Sequence, residues 1–169
     1  MEKNLSRTEW REAATGGLYA GLAYALLTIA AHAGRSMPGL VTILNAVSFF
    51  SFAGFLYFYA RRMAAYAGGD GFSYGRSLLF VLKMSLFAGV LAGVGQFVLM
   101  VANMAGGGMG EKEAEMAGSL GLKLMRNPLF AVFSGIFSML IYGGLLGLLI
   151  SIFVVRRPAD PFGGGTSAE

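Results

Sequence analysis

The sequence contains no cysteine, which removes disulfides, thiolate nucleophiles and zinc–sulfur sites from consideration. It contains one histidine, His32, too few for a metal centre that needs three or four ligands. Charge is scarce as well. Asp, Glu, Lys and Arg make up 13% of the chain, about half the usual share of a soluble domain. Acid is absent where the chain is apolar: four long runs, ending near Ala33, Ala60, Asn103 and Val155, hold no Asp or Glu. Paired-carboxylate catalysis and carboxylate proton relays therefore lack their groups. A serine or tyrosine nucleophile would need an adjacent base. The glycine-rich turns also lack the Gly-x-x-x-x-Gly-Lys-Ser/Thr spacing of a phosphate loop. The reading is of a protein that is not an enzyme and needs neither metal nor cofactor.

What the chain has in quantity is apolar residues, at 56%. They fall into runs over about 13–33, 38–60, 77–103 and 129–155, each long enough to cross a hydrocarbon core of about 30 Å at about 1.5 Å per residue. The expected fold is an all-α membrane protein of four transmembrane helices in two antiparallel hairpins, a single domain over 1–157. Its first partner is the lipid bilayer. The net charge of +4 does not argue for nucleic acid, because Lys and Arg flank the apolar runs and form no basic stripe.

Taken in order, residues 1–12 are polar, with Trp10 placed as an interfacial anchor before the first run. Ala31-His32-Ala33 has the small-x-small form of a signal cleavage site, but the run before it exceeds a signal core, so it reads as an uncleaved span. Gly34 to Met37 make a short link, with Pro38 suited to the first turn of the next helix. The second run ends in Tyr57, Phe58 and Tyr59 followed by Arg61-Arg62, an interface and a stop. Gly68, Gly69 and Gly71 around Asp70 read as a turn, and Ser73 as the N-cap of the third helix. Residues 111–126 suggest a short amphipathic surface helix, with Met116, Leu120 and Leu124 at four-residue steps. Asn127-Pro128 opens the fourth run, Arg156-Arg157 stops it, and 158–169 reads as a disordered tail. The N-terminus, second connection and C-terminus carry eight Lys/Arg against four in the other two connections, which places both termini in the cytoplasm.

Two features of the third run stand out. At about 100° per residue, Ser85, Gly93, Gln96 and Asn103 fall within about 40° of Gly89, giving a small, polar face. Gly17, Gly21, Tyr24 and Thr28 in the first run and Gly143, Gly147 and Ser151 in the fourth make comparable faces. Such faces let helix backbones approach closely; the competing reading is a pore or polar pocket lined by the third helix. Lys83 is the sole formal charge inside an apolar run, and Arg76 shares its side. Helical side chains lean toward the N-terminus, so the Lys83 ammonium is expected to snorkel toward the headgroups. Arg76 and Lys83 are then candidate lipid-headgroup contacts. His32 reads as a polar end residue and Asn45 as interhelical glue.

The stretch Gly68-Gly69-Asp70-Gly71-Phe72-Ser73-Tyr74-Gly75-Arg76, opening an apolar helix, resembles a bacterial membrane family catalogued as domain of unknown function 4199. So do the Asn127-Pro128-Leu129 opening and the Gly/Ser-rich last helix ending in basic residues. The resemblance covers roughly residues 10–157; the glycine-rich start of the third connection is less like that family. It implies a four-helix protein of the bacterial cytoplasmic (inner) membrane, of the kind found mainly in Bacteroidetes-type bacteria, and brings no activity or site. The expectation for function is a structural or accessory subunit working through helix contacts, with itself as a homo-oligomer or with a larger membrane protein. The alternatives are a small oligomeric transporter or channel and a lipid-headgroup-binding helper.

Overall fold

A computed structural model of the chain describes residues 2–67, 72–105 and 127–155. These residues form four helices: α1 (Glu2–Ala33), α2 (Pro38–Ala67), α3 (Tyr74–Ala105) and α4 (Pro128–Val155). No strand occurs among them. Each helix contains a stretch of at least 26 residues long and apolar enough to cross a bilayer. In hydrocarbon no water satisfies a peptide group, so an uninterrupted helix is the economical way across. The chain is thus an all-α, four-span membrane protein.

The helix starts are written locally. Pro38 stands at the first position of α2, where its missing N–H costs nothing, and the Thr42 hydroxyl donates back to the Pro38 carbonyl at 3.0 Å. Ser73 caps α3 through its hydroxyl, which accepts the Arg76 N–H at 3.4 Å. Asn127 caps α4, its side-chain oxygen accepting the Leu129 N–H at 3.0 Å, with Pro128 in the first turn. Two helices run past the ends of their apolar runs. The first begins at Glu2 rather than near Ala13, and the second continues through Arg61 and Arg62 to Ala67. Arg, Met and Ala are good helix formers; a charge marks the edge of the membrane without breaking the helix. The turn at 68–71, the surface helix expected over 111–126, the Arg156-Arg157 stop and the tail lie outside the described residues.

The third helix is the centre of the bundle, packed on α1 along one side and on α4 along the other, while α2 rests mainly on α1. α1 and α3 run parallel, with Gly17 against Met84 and Gly21 against Ala88. α3 and α4 run antiparallel in a steady register: Ser77 faces Ser151, Val81 faces Gly147, Ser85 faces Gly143 and Gly93 faces Gly135. The core between the helices holds Phe80, Met84, Leu56, Met63 and Met139, all essentially fully buried. Outward faces carry Leu26, Phe50, Phe58, Phe133, Phe137 and Phe153, all more than half exposed. So much bare apolar surface would be untenable in water; in lipid it is the surface the solvent asks for.

Candidate functional site

The end of the bundle that carries the start of α1 gathers most of the charge. Extending α1 back to Glu2 puts Glu9 on the same narrow stripe as Ala13, Gly16, Gly17, Ala20 and Gly21, all buried. That stripe faces α3, so the carboxylate is driven into the helix interface and is 4% exposed. Leaving it there unpaired would cost several kcal/mol. Two cations from α3 prevent that. Arg76 Nε donates to Glu9 Oε2 at 3.1 Å and Lys83 Nζ to Glu9 Oε1 at 2.5 Å. Lys83 leans back along α3 to do so, the direction in which helical side chains point. Its ammonium also lies 4.7 Å from the centre of the Trp10 ring, within cation–π range. Trp10 in turn meets Phe87 edge-on, with centroids 6.3 Å apart.

Beside it, α1 and the end of α2 enclose open space. A groove of about 670 Å³ is lined by Arg7, Thr8, Arg11 and Tyr66. A second cavity of about 290 Å³ shares Thr8, Arg11 and Tyr66 and adds Glu12, Arg62 and Met63. Arg7 and Arg11 are one helical turn apart, so their side chains rise on one face. Glu12 is the one carboxylate among the described lining residues, held at 3.5 Å by Arg62, whose side chain is 58% exposed. Arg62 also lies over the Tyr59 ring, 6.0 Å from its centre. Among the described residues, Arg7 and Arg11 thus line the groove, and Arg11 and Arg62 line the cavity beside it with Glu12.

A second polar cluster closes the opposite end. Asn103 Oδ1 accepts from Arg35 Nη2 at 2.6 Å and lies 3.1 Å from His32 Nε2; Arg35 also contacts the His32 ring directly. His32 and Asn103 tie the far ends of α1 and α3 together, as Glu9 ties the near ends. Among the described residues no group of three or more His, Asp or Glu side chains gathers.

The residues singled out from sequence separate into three places. Ser85, Gly89 and Gly93 face α4 and are buried. A Cβ on Gly93 would lie 2.6 Å from the Val132 carbonyl oxygen, and one on Gly89 2.8 Å from Ile136 Cα. Gly143 and Gly147 supply the other side, Gly143 admitting the Ser85 side chain and Gly147 the side chains of Leu78 and Val81. At Gly89 and Gly93 this face is closed by the backbone of α4. Gln96 is half-buried farther along the same stripe. Asn103 leaves the group because α4 has run out there: Gly93 already faces Val132 and Gly135, only a turn or two from the start of α4 at Pro128. Arg76 and Lys83 form the third place, around Glu9.

Sequence reasoning missed Glu9, Arg7, Arg11 and the groove between α1 and α2. The available signal was the spacing Glu9, Ala13, Gly16, Gly17, Ala20, which continues one small-residue face into the polar segment. No family model, curated protein or solved structure matches the chain.

Proposed function

We propose that the protein is a non-catalytic accessory subunit of the membrane that holds anionic lipid headgroups at the groove formed by Arg7, Arg11 and Arg62. The gathering of Arg7, Arg11 and Arg62 on these two adjoining spaces, with Glu12 the carboxylate among the described lining residues, carries this reading. Like charges gathered in this way repel unless an anion sits among them, and the planar guanidinium pairs phosphate oxygens two at a time. The groove also lies at the right depth. Arg11 lies two residues before the apolar part of α1 and Arg62 two residues after that of α2, and Tyr66 and Trp10 are the amphipathic aromatics of a headgroup zone. If this end faces the cytoplasm, as the Lys/Arg bias expects, the negative leaflet is the one it meets.

The small-residue faces support an accessory role in a different way from the one expected. Gly17, Gly21, Gly89, Gly93, Gly143 and Gly147 are all taken up inside the bundle, so contact with a partner protein would use the lipid-facing surface. Membership of the family catalogued as domain of unknown function 4199, and with it a bacterial inner-membrane location, belongs to this proposal and brings no competing activity.

The test is thermal stability in detergent micelles doped with phosphatidylglycerol or with phosphatidylcholine. Binding to the folded state raises the melting temperature. The wild-type protein should gain stability with phosphatidylglycerol alone, and Arg7→Gln/Arg11→Gln should lose that gain. Equal gains from both lipids, or an unchanged gain in the double variant, would defeat the proposal.

A further inference from the structure

Midway through the bundle, α1, α2 and α4 leave a cavity of about 210 Å³. We propose that it binds one uncharged ring bearing carbonyl or hydroxyl oxygens, a quinone- or phenol-type lipophile that enters from the bilayer. Four neutral polar side chains line it, Tyr24, Asn45, Ser48 and Tyr142, and Phe49, Phe52 and Met139 supply the apolar walls.

The depth is that of hydrocarbon. Ser48 lies ten residues beyond Pro38, about 15 Å along the helix and half the thickness of the core. Polar groups are expensive there and need partners. Ser85, on α3, finds one by donating to the Val81 carbonyl of its own helix at 2.9 Å. Ser48 does not: it is 3% exposed, and its hydroxyl is the buried side-chain oxygen left without a hydrogen-bond partner among the described residues. A group that could have bonded to its own backbone, and instead lines a cavity unpaired, is available to an occupant.

Size and chemistry narrow that occupant. A dry cavity of about 150 Å³ accepts benzene, so this one has room for a single substituted ring. Among the described residues no lining side chain carries a formal charge, which disfavours an ionic guest at this depth. Hydroxyl and amide donors suit carbonyl or hydroxyl oxygens, while the phenylalanines and methionine suit a ring face or edge. Entry from lipid is open, because Phe49 is 42% and Tyr142 48% exposed and Asn45 is exposed on the rim.

The probe is radiolabelled tetramethyl-1,4-benzoquinone, measured by equilibrium dialysis against the protein in lipid nanodiscs and against empty nanodiscs. The chain has no cysteine, so addition of the quinone to a thiol cannot mimic binding. The expected result is saturable uptake above that of empty discs, one ring per chain. Ser48→Ala and Asn45→Leu should each weaken it about tenfold, the worth of one lost hydrogen bond to a bound group. Tetramethylbenzene, with the ring but without the oxygens, should compete about tenfold less well than unlabelled probe on the same basis. Without probe, Ser48→Ala should melt no lower than wild type, since it removes an unpaired hydroxyl; a merely structural serine would show a loss. If Ser48→Ala does not fold, Asn45→Leu on the rim decides. Uptake no greater than that of empty discs, or saturable uptake that these variants leave unchanged, would overturn the proposal and assign the cavity to water.

Discussion

Glu9 and Lys83, 74 residues apart in sequence, meet at 2.5 Å in the interface between α1 and α3. The pair is possible because α1 starts well before its apolar run and carries a carboxylate into a stripe otherwise made of alanine and glycine. Arg76 takes the second carboxylate oxygen. Together they fix the register of two parallel helices at one end of the bundle, and His32 and Asn103 do the same at the other.

Removing the shared carboxylate should be the most damaging polar change in the protein. Glu9→Gln leaves two cations facing a neutral amide and should cost about 3 kcal/mol, the usual result of breaking a buried pair. Lys83→Met should cost less, because Arg76 still neutralises Glu9. In Glu9→Gln/Lys83→Met much of the loss should return, since the buried cation that faced the amide is gone and Arg76 is about one third exposed to water. Unfolding of the four proteins in detergent measures the coupling directly. Additive losses would show that the two residues do not interact.

The α3–α4 contact makes a sharper packing prediction. A Cβ at residue 143 would overlap the Ser85 side chain, so Gly143→Ala should destabilise by about 1–3 kcal/mol through overpacking. Ser85→Gly in the same chain should restore most of it. Gly93→Leu and Gly147→Leu should lower thermal stability in the same way. Gly54, with nothing within 4 Å of the added carbon, is the control: Gly54→Ala should leave the melting temperature unchanged or slightly raised, as alanine favours helix.

Register can be read chemically, because the chain has no cysteine to interfere. The Ser77 and Ser151 hydroxyls are 3.1 Å apart. Ser77→Cys/Ser151→Cys should form an intramolecular disulfide under mild oxidation, visible as a mobility shift reversed by reductant. Ser85→Cys/Ser151→Cys places the thiols about 12 Å farther apart along the helix and should not cross-link. The opposite pattern would contradict the antiparallel register.

The far-end cluster should matter less. Asn103→Leu removes the acceptor shared by His32 and Arg35 near the membrane surface, where water can replace it. The expected cost is about 1 kcal/mol or less, in line with interhelical hydrogen bonds in membrane proteins. Faster amide exchange at the end of α1 would accompany it. A loss as large as that of Glu9→Gln would mean that both ends carry equal weight.

The four spans were legible in sequence because lipid tolerates only long apolar helices, and length with composition is sufficient to find them. Helix ends were less legible, since Arg61 and Arg62 end the membrane and not the helix. The faces around Ser85, Gly89, Gly93, Gly143 and Gly147 were visible from four-residue spacing, although which helix each would meet was not. Lys83 was visible as an oddity and its direction followed from helix geometry; its partner was not, because Glu9 sits in a segment that looks polar and external. The groove at Arg7, Arg11 and Arg62 required knowing that the start of α1 and the end of α2 continue side by side beyond the apolar core. The cavity at Ser48 draws on three helices at once, a relation that no single stretch of sequence records.

The most direct test of the account is native mass spectrometry of the protein released from its own membranes in mild detergent. Wild-type protein should carry anionic phospholipid in preference to zwitterionic lipid, and Arg7→Gln/Arg11→Gln should carry neither in preference. Equal retention of both lipid classes by the wild-type protein, or an anionic lipid load that survives in the double variant, would contradict a headgroup site in the arginine groove.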